Sequence, residues 1–287
     1  MNEATLDEFV PSSKTYHGKT KIVYRRGDTG PGVVLMHEIP GITPKLLGLG
    51  KLIAGAGYRV ALPSLFGVDG KPPNLGYMVA EFGSMCVSAE FNGWAAHESS
   101  PVVDWLRALC KDLAAETHGP IGAIGLCITG GFALSLTVGT DGAVRAPVVS
   151  EPSLPFAVPG FAPAAAVHLT PEEQREVAAA HEPPVLGLRF TNDVACTRAR
   201  FDTYERVLGK QRFVERIEIT SPDPAWQIPW YAHSVLTAHN KLDPPEHPTR
   251  VAFDRVMAFL DRNLRAGGVP PAPGSTAASG GGPPATP

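Results

Sequence analysis

Apolar positions along the chain fall into two patterns. Short, nearly continuous runs rich in Val, Ile and Leu alternate with longer stretches in which apolar residues recur at helical spacing. The short runs predict strands at Lys21–Arg25, Val33–His37, Tyr58–Leu62, Ile121–Leu126, Arg145–Val149, Val185–Phe190 and Phe213–Ile219. Continuous runs of this kind suit strands covered on both faces. The periodic stretches predict helices at Pro44–Ala56, Pro101–Ala115, Ile128–Val138, Pro171–Ala180, Thr197–Leu208 and Thr249–Leu264. In the last of these Val251, Val256, Phe259 and Leu260 share a stripe, with Arg250, Asp254, Arg255, Asp261 and Arg262 largely opposite. Strand–helix alternation from Lys21 to Leu264 implies an α/β fold, a mostly parallel central sheet with helices on both faces.

Composition adds limits rather than detail. The 287 residues carry 25 Lys plus Arg and 28 Asp plus Glu, a formal net charge of −3. That balance speaks against a nucleic-acid partner, which would call for a basic face. No apolar run reaches the length of a membrane-spanning helix, so no membrane partner is expected. The opening MNEATLDEFVPSS lacks the basic-then-apolar pattern of a secretory signal, and four cysteines are too few for a disulfide scaffold. A cytoplasmic protein with free thiols is the expectation. Residues 266–287 hold 6 Gly and 6 Pro with no charged or aromatic side chain, and are expected to be a disordered tail. Residues 1–17 are read as an N-terminal extension and 18–265 as one domain.

The strongest local signal is Ile121-Gly-Ala-Ile-Gly-Leu-Cys127-Ile-Thr-Gly-Gly131. An apolar strand runs into Gly125, one reactive side chain follows two positions later, and an apolar helix is predicted at once. This is the strand–elbow–helix arrangement that presents a nucleophile in α/β-hydrolases, with Cys in place of Ser. Crowding at such a turn calls for small residues nearby, here Gly125 and Thr129. The helix N-terminus would favour a thiolate and then an oxyanion, and the Ile128 N–H would be one oxyanion donor. Cys127 could instead be a buried structural thiol, and Gly130 and Gly131 could serve helix–sheet packing alone. A dinucleotide loop fits poorly, because Gly-x-Gly-x-x-Gly is missing and several strands precede the motif.

In α/β-hydrolase order the acid and base follow the nucleophile. Asp193 lies just past the predicted strand Val185–Phe190, where a carboxylate could orient an imidazole. Taken alone it would be a turn former or helix cap. His233 lies in the loop between the last predicted strand and the last helix, a suitable place for a general base. The ordered set Cys127, Asp193, His233 is stronger than any of its members.

From Gly18 to Arg265 the sequence resembles the dienelactone hydrolase family, a cysteine branch of the α/β-hydrolases. The resemblance rests on Met36-His-Glu38-Ile39-Pro-Gly41, the Cys elbow, the Asp after a late strand, and Ala232-His233-Ser234. It implies that Glu38 interacts with the resting thiol and helps it ionise when substrate arrives, and that Ile39 supplies the second oxyanion N–H. It implies hydrolysis of a lactone or ester through a thioester, with no cofactor and no metal. His37 and Glu38 do not form His-Glu-x-x-His, so no zinc site is implied. Two features depart from the family: Thr129 stands where the elbow commonly has Gly, and no Arg follows His233 within Ser234–His239 to hold a substrate carboxylate. The region from Glu151 to Ala180, with Phe156 and Phe161, suggests a partial lid. Tyr77, Trp94, Trp226, Trp230 and Tyr231 are candidates for a pocket wall and equally for packing.

The leading expectation is therefore a hydrolase acting on a small ester or lactone, as a monomer or small homo-oligomer. A catalytically silent binding protein of the same fold and a thiol-dependent acyl transferase are the alternatives. A dithiol redox role is disfavoured, since no Cys-x-x-Cys exists and Cys86, Cys110 and Cys196 lie far from Cys127 in sequence.

Overall fold

Strands buried on both faces need helices on both sides, and the chain supplies them in alternation. The computed structural model describes residues 3–87, 100–153 and 165–265. Eight strands form one sheet: β1 (Val10–Tyr16), β2 (Lys19–Arg26), β3 (Gly32–Met36), β4 (Arg59–Pro63), β5 (Ile121–Leu126), β6 (Val144–Ser150), β7 (Val185–Phe190) and β8 (Phe213–Ile219). Their order across the sheet is β1-β2-β4-β3-β5-β6-β7-β8. β1 and β2 pair antiparallel with each other, β2 pairs antiparallel with β4, and the remaining pairings are parallel. The helices are α1 (Pro44–Gly55), α2 (Leu75–Val87), α3 (Pro101–Thr117), α4 (Phe132–Ser135), α5 (Pro171–Ala179), α6 (Arg198–Leu208) and α7 (Pro248–Leu264).

Side-chain alternation along β3 divides the core. Val33 and Leu35 pack with Leu46, Leu47 and Ile53 of α1 and with Val256, Phe259 and Leu260 of α7. Val34 and Met36 face the other way, toward Trp105, Leu106 and Leu109 of α3 and Phe201 and Tyr204 of α6. This period of two is the pleat of the strand.

All seven predicted strands are present, within a residue or two at their ends. Residues 1–17, read as an extension, contribute the edge strand β1, and Ala4 and Phe9 enter the core. The expected helix Ile128–Val138 is different. It consists of a 3-10 turn at Cys127–Thr129 and the single turn of α4. Gly130, Gly131 and the Thr137-Val-Gly-Thr run favour helix poorly, and the chain turns away after Leu136. The tail at 266–287, and Phe156 and Phe161 of the expected lid, lie outside the described residues.

The topology fixes where a site can form. From β3 the chain steps to β4 on one side and later returns to β5 on the other. That reversal opens a crevice at the carboxyl ends of β3 and β5, the usual ligand position in open α/β sheets.

Candidate active site

Cys127 follows β5 directly and has a φ of +52°. A residue with a Cβ enters this left-handed region at a cost of roughly 1–2 kcal/mol. The close approach around it explains the small neighbours. A Cβ on Gly125 would lie 2.2 Å from the Thr129 carbonyl oxygen, and one on Gly130 would lie 2.7 Å from Cα of Pro152. The turn is pinned by Thr129, whose hydroxyl accepts from the Leu126 N–H at 3.1 Å. The single hydrogen of that hydroxyl lies within reach of the carbonyl oxygens of Leu126, Met36 and His37 at 3.0–3.2 Å. Thr129 thus ties the elbow to the end of β3, a function that glycine there could not perform.

Three sequence-predicted residues converge. The Asp193 loop follows β7, and its carboxylate divides its work. Oδ1 accepts from the N–H groups of Ala195 and Cys196 at 2.9 and 3.1 Å, while Oδ2 sits 2.6 Å from Nδ1 of His233. One oxygen thus holds the turn and the other meets the imidazole. Cys127 also acts on the charge of the His233 ring. Burial by itself would lower the His233 pKa; the negative charge of Cys127 and the hydrogen bonds to Asp193 and Cys127 outweigh it and hold the imidazole well above its ordinary value. His239 supports the loop by donating from Nδ1 to the His233 carbonyl at 2.8 Å.

Glu38 lies at the end of β3, almost fully buried, and accepts from the hydroxyls of Ser234 and Thr237. These bonds latch the His233 loop to the β3 loop. Its expected approach to the resting thiol is not among the contacts the structure gives. The sulfur instead meets Ser153, with Sγ and Oγ 3.1 Å apart, and the Ser153 N–H donates to the Cys127 carbonyl at 3.0 Å. Ile39 follows Glu38, and Ile128 follows the sulfur-bearing residue, so both backbone groups flank the crevice between β3 and β5. The helical charge expected behind Cys127 is reduced to the single turns described above.

His37, next to Glu38, is fully enclosed. Its Nε2 accepts from Leu65 N–H at 3.0 Å, and burial pulls its pKa down to about 4. It is a neutral structural residue. Cys110 and Cys196 are buried, and burial pushes both thiols up, that of Cys110 to about 12. Among the aromatic candidates, Tyr77 is buried with its hydroxyl on Val68, and Trp226 packs on His247. Trp230 and Tyr231 are about two-thirds exposed, and Asn192 donates to the Trp230 carbonyl at 2.9 Å. Trp94 lies outside the described residues.

Residues 16–221 match the dienelactone hydrolase family. The chain belongs to that family. Family membership makes it a hydrolase, on the α/β-hydrolase fold described above. The carboxymethylenebutenolidase of Rhodococcus opacus is 26% identical over 254 residues, 85% of this chain and 87% of that protein. Among solved structures, the dienelactone hydrolase from Anabaena variabilis shares the fold with a TM-score of 0.53 at 15% identity, covering 90% of this chain and 98% of the other. A dienelactone hydrolase-like promiscuous phosphotriesterase from metagenomic libraries gives a TM-score of 0.55 at 16% identity, over 88% and 98%.

Sequence reading missed Ser153, Ser234, Thr237 and Glu151 as members of this dienelactone hydrolase-family site. Serine and threonine carry no chemical signature until the fold shows what they touch. Glu151 had one available signal, a lone charge directly after the apolar run of β6 and hence at the carboxyl edge of the sheet.

Proposed function

We propose that this dienelactone hydrolase-family member hydrolyses a small lactone or carboxylic ester through Cys127, His233 and Asp193. The observation that carries the reading is the imidazole of His233 2.6 Å from the buried Asp193 carboxylate, with Cys127 acting on the ring's charge, at the carboxyl ends of β5, β7 and the loop after β8. Transfer of the Cys127 proton to His233 gives a thiolate that attacks the carbonyl carbon. The oxygen gains negative charge and is met by the N–H groups of Ile39 and Ile128. Collapse breaks the bond to the leaving oxygen, which takes the proton from His233, and a thioester remains on Cys127. His233 then removes a proton from water, hydroxide adds to the thioester, and the carboxylic acid leaves with regeneration of the thiol. Asp193 holds the ring tautomer throughout. Glu38 acts through Ser234 and Thr237 by fixing the His233 loop against the oxyanion side.

Wild type and Cys127→Ala are compared on a dienelactone, simple lactones and activated aryl esters. The substitution is expected to lower turnover by about a thousandfold or more. Acid quenching during turnover should leave the acyl group on the Cys127 peptide. Activity that survives the substitution would remove Cys127 as the nucleophile. Acyl transfer to an added thiol in place of water would favour the acyl-transferase alternative.

A further inference from the structure

Strand β6 ends at Ser150, and the next residue turns inward. Glu151 has a φ of +32° and is completely buried. Its N–H donates to the Leu188 carbonyl at 2.8 Å, which fixes it to β7. One carboxyl oxygen, Oε2, accepts from the Ser150 hydroxyl at 2.5 Å; the other, Oε1, has no hydrogen-bond partner among the described residues. A buried carboxylate used only for structure normally has both oxygens supplied with donors, since an unsatisfied one is costly. The groups that act on Glu151 are those of the site, His233 and Glu38 by charge and the backbone N–H of Val235 by hydrogen bonding, and Glu151 in turn acts on the Cys196 thiol. Two residues further on, Ser153 touches the Cys127 sulfur.

We propose that Glu151 is a positioning residue for this hydrolysis, a buried carboxyl that sets the charge balance of the Cys127–His233 pair from inside the fold. The inference rests on the reading of Cys127 and His233 given above. Burial drives the Glu151 pKa upward, His233 opposes this, Glu38 adds to it, and Ser150 and Val235 oppose it again; the outcome is pushed up to about 8. Below that pH the carboxyl is neutral and adds no charge to the ring. Above it the proton leaves to solvent, and the carboxylate favours the imidazolium. Within the pair, a proton then moves from Sγ to the imidazole, and the thiolate population rises.

The test is the pH dependence of Cys127 alkylation by iodoacetamide in the full chain, read by peptide mass so that the other cysteines do not contribute. Wild type should show an added rise with a midpoint near pH 8. Each pKa unit of coupling corresponds to about tenfold in thiolate population, so a coupling of about half a unit gives a step of about threefold. Glu151→Gln should lack the step. Ser150→Ala, which removes a donor that favours the carboxylate, should keep it but move it to higher pH, and this second variant decides the matter where Glu151→Gln does not fold. Superimposable profiles for wild type and Glu151→Gln, or an unmoved step in Ser150→Ala, would overturn the assignment. If those profiles superimpose while Cys127→Ala still abolishes hydrolysis, only the Glu151 inference falls. A Cys127 that resists alkylation at every pH would remove both readings.

Discussion

Single atoms divide the labour at this site, and the division can be tested one atom at a time. Asp193 spends Oδ1 on its own loop and Oδ2 on His233. Asp193→Asn keeps an oxygen for the loop but loses the charge and allows the wrong imidazole tautomer. Turnover should fall by roughly 10³- to 10⁴-fold with little change in the denaturation midpoint. Asp193→Ala should show both losses, because the Ala195 and Cys196 N–H groups then lack their acceptor. Thr129 offers a similar contrast. Thr129→Val preserves shape and removes a hydroxyl that serves Leu126 N–H and the end of β3. A destabilisation of about 1–3 kcal/mol is expected in urea unfolding, with recovery in Thr129→Ser. The placing of Cys127, Asp193 and His233 after β5, β7 and β8 was legible in sequence because the strand ends were. The hydroxyls of Ser153, Ser234 and Thr237 were not, since only proximity in space gives them a partner.

Elements rather than residues decide how firmly the acid loop is held. Arg200, on the first turn of α6, is fully buried. Its Nε donates to the Ala166 carbonyl at 2.7 Å, and Nη1 reaches the carbonyls of Pro152 and Ala195 at 2.7 and 2.8 Å. One guanidinium therefore joins the Asp193 loop, the segment after Glu151, and the chain leading to α5. Arg200→Lys cannot reproduce this planar set of donors. It should lower kcat more than it raises KM and cost on the order of 3 kcal/mol in chemical denaturation, as expected where a buried charge loses partners. Equal kinetics in the two proteins would show that α6 does not hold the acid loop through this residue. The same scale shows where sequence pattern was insufficient. β1 was not foreseen because Val10-Pro-Ser-Ser-Lys-Thr-Tyr is a half-exposed edge strand with few apolar residues, stabilised by pairing with β2 and by Lys14 on Asp112. The pattern after Cys127 predicts too long a helix because Phe132, Ala133, Leu134 and Leu136 are all apolar. That composition serves burial in any conformation, and two glycines precede it.

At the scale of the molecule, buried titratable groups set opposing slopes in stability. His37 binds its proton only near pH 4 when folded, against about 6.5 when free. Between these values the unfolded chain holds more protons, so stability rises with pH, by about 3 kcal/mol in all. His168 and His239, whose pKa values burial also lowers, act in the same direction. Glu151 has the opposite sign. Its folded value near 8 exceeds the free value of 4.5, so the unfolded chain releases the proton first and stability falls as pH rises from 4.5 to 8. The imidazole of His233, held above its ordinary value, adds a decline above pH 6.5. Acid-side gains end near pH 6.5 while the Glu151 loss continues, and maximum stability is expected close to that pH. Glu151→Gln should remove one descending slope. Urea midpoints measured from pH 5 to 9 should then show wild type losing about 1.4 kcal/mol per pH unit more than the variant between pH 6.5 and 8, with the curves parallel above that range. Equal slopes in that window would mean that Glu151 is ionised in the folded protein at neutral pH, and the charge it brings to His233 would then be constant rather than switched.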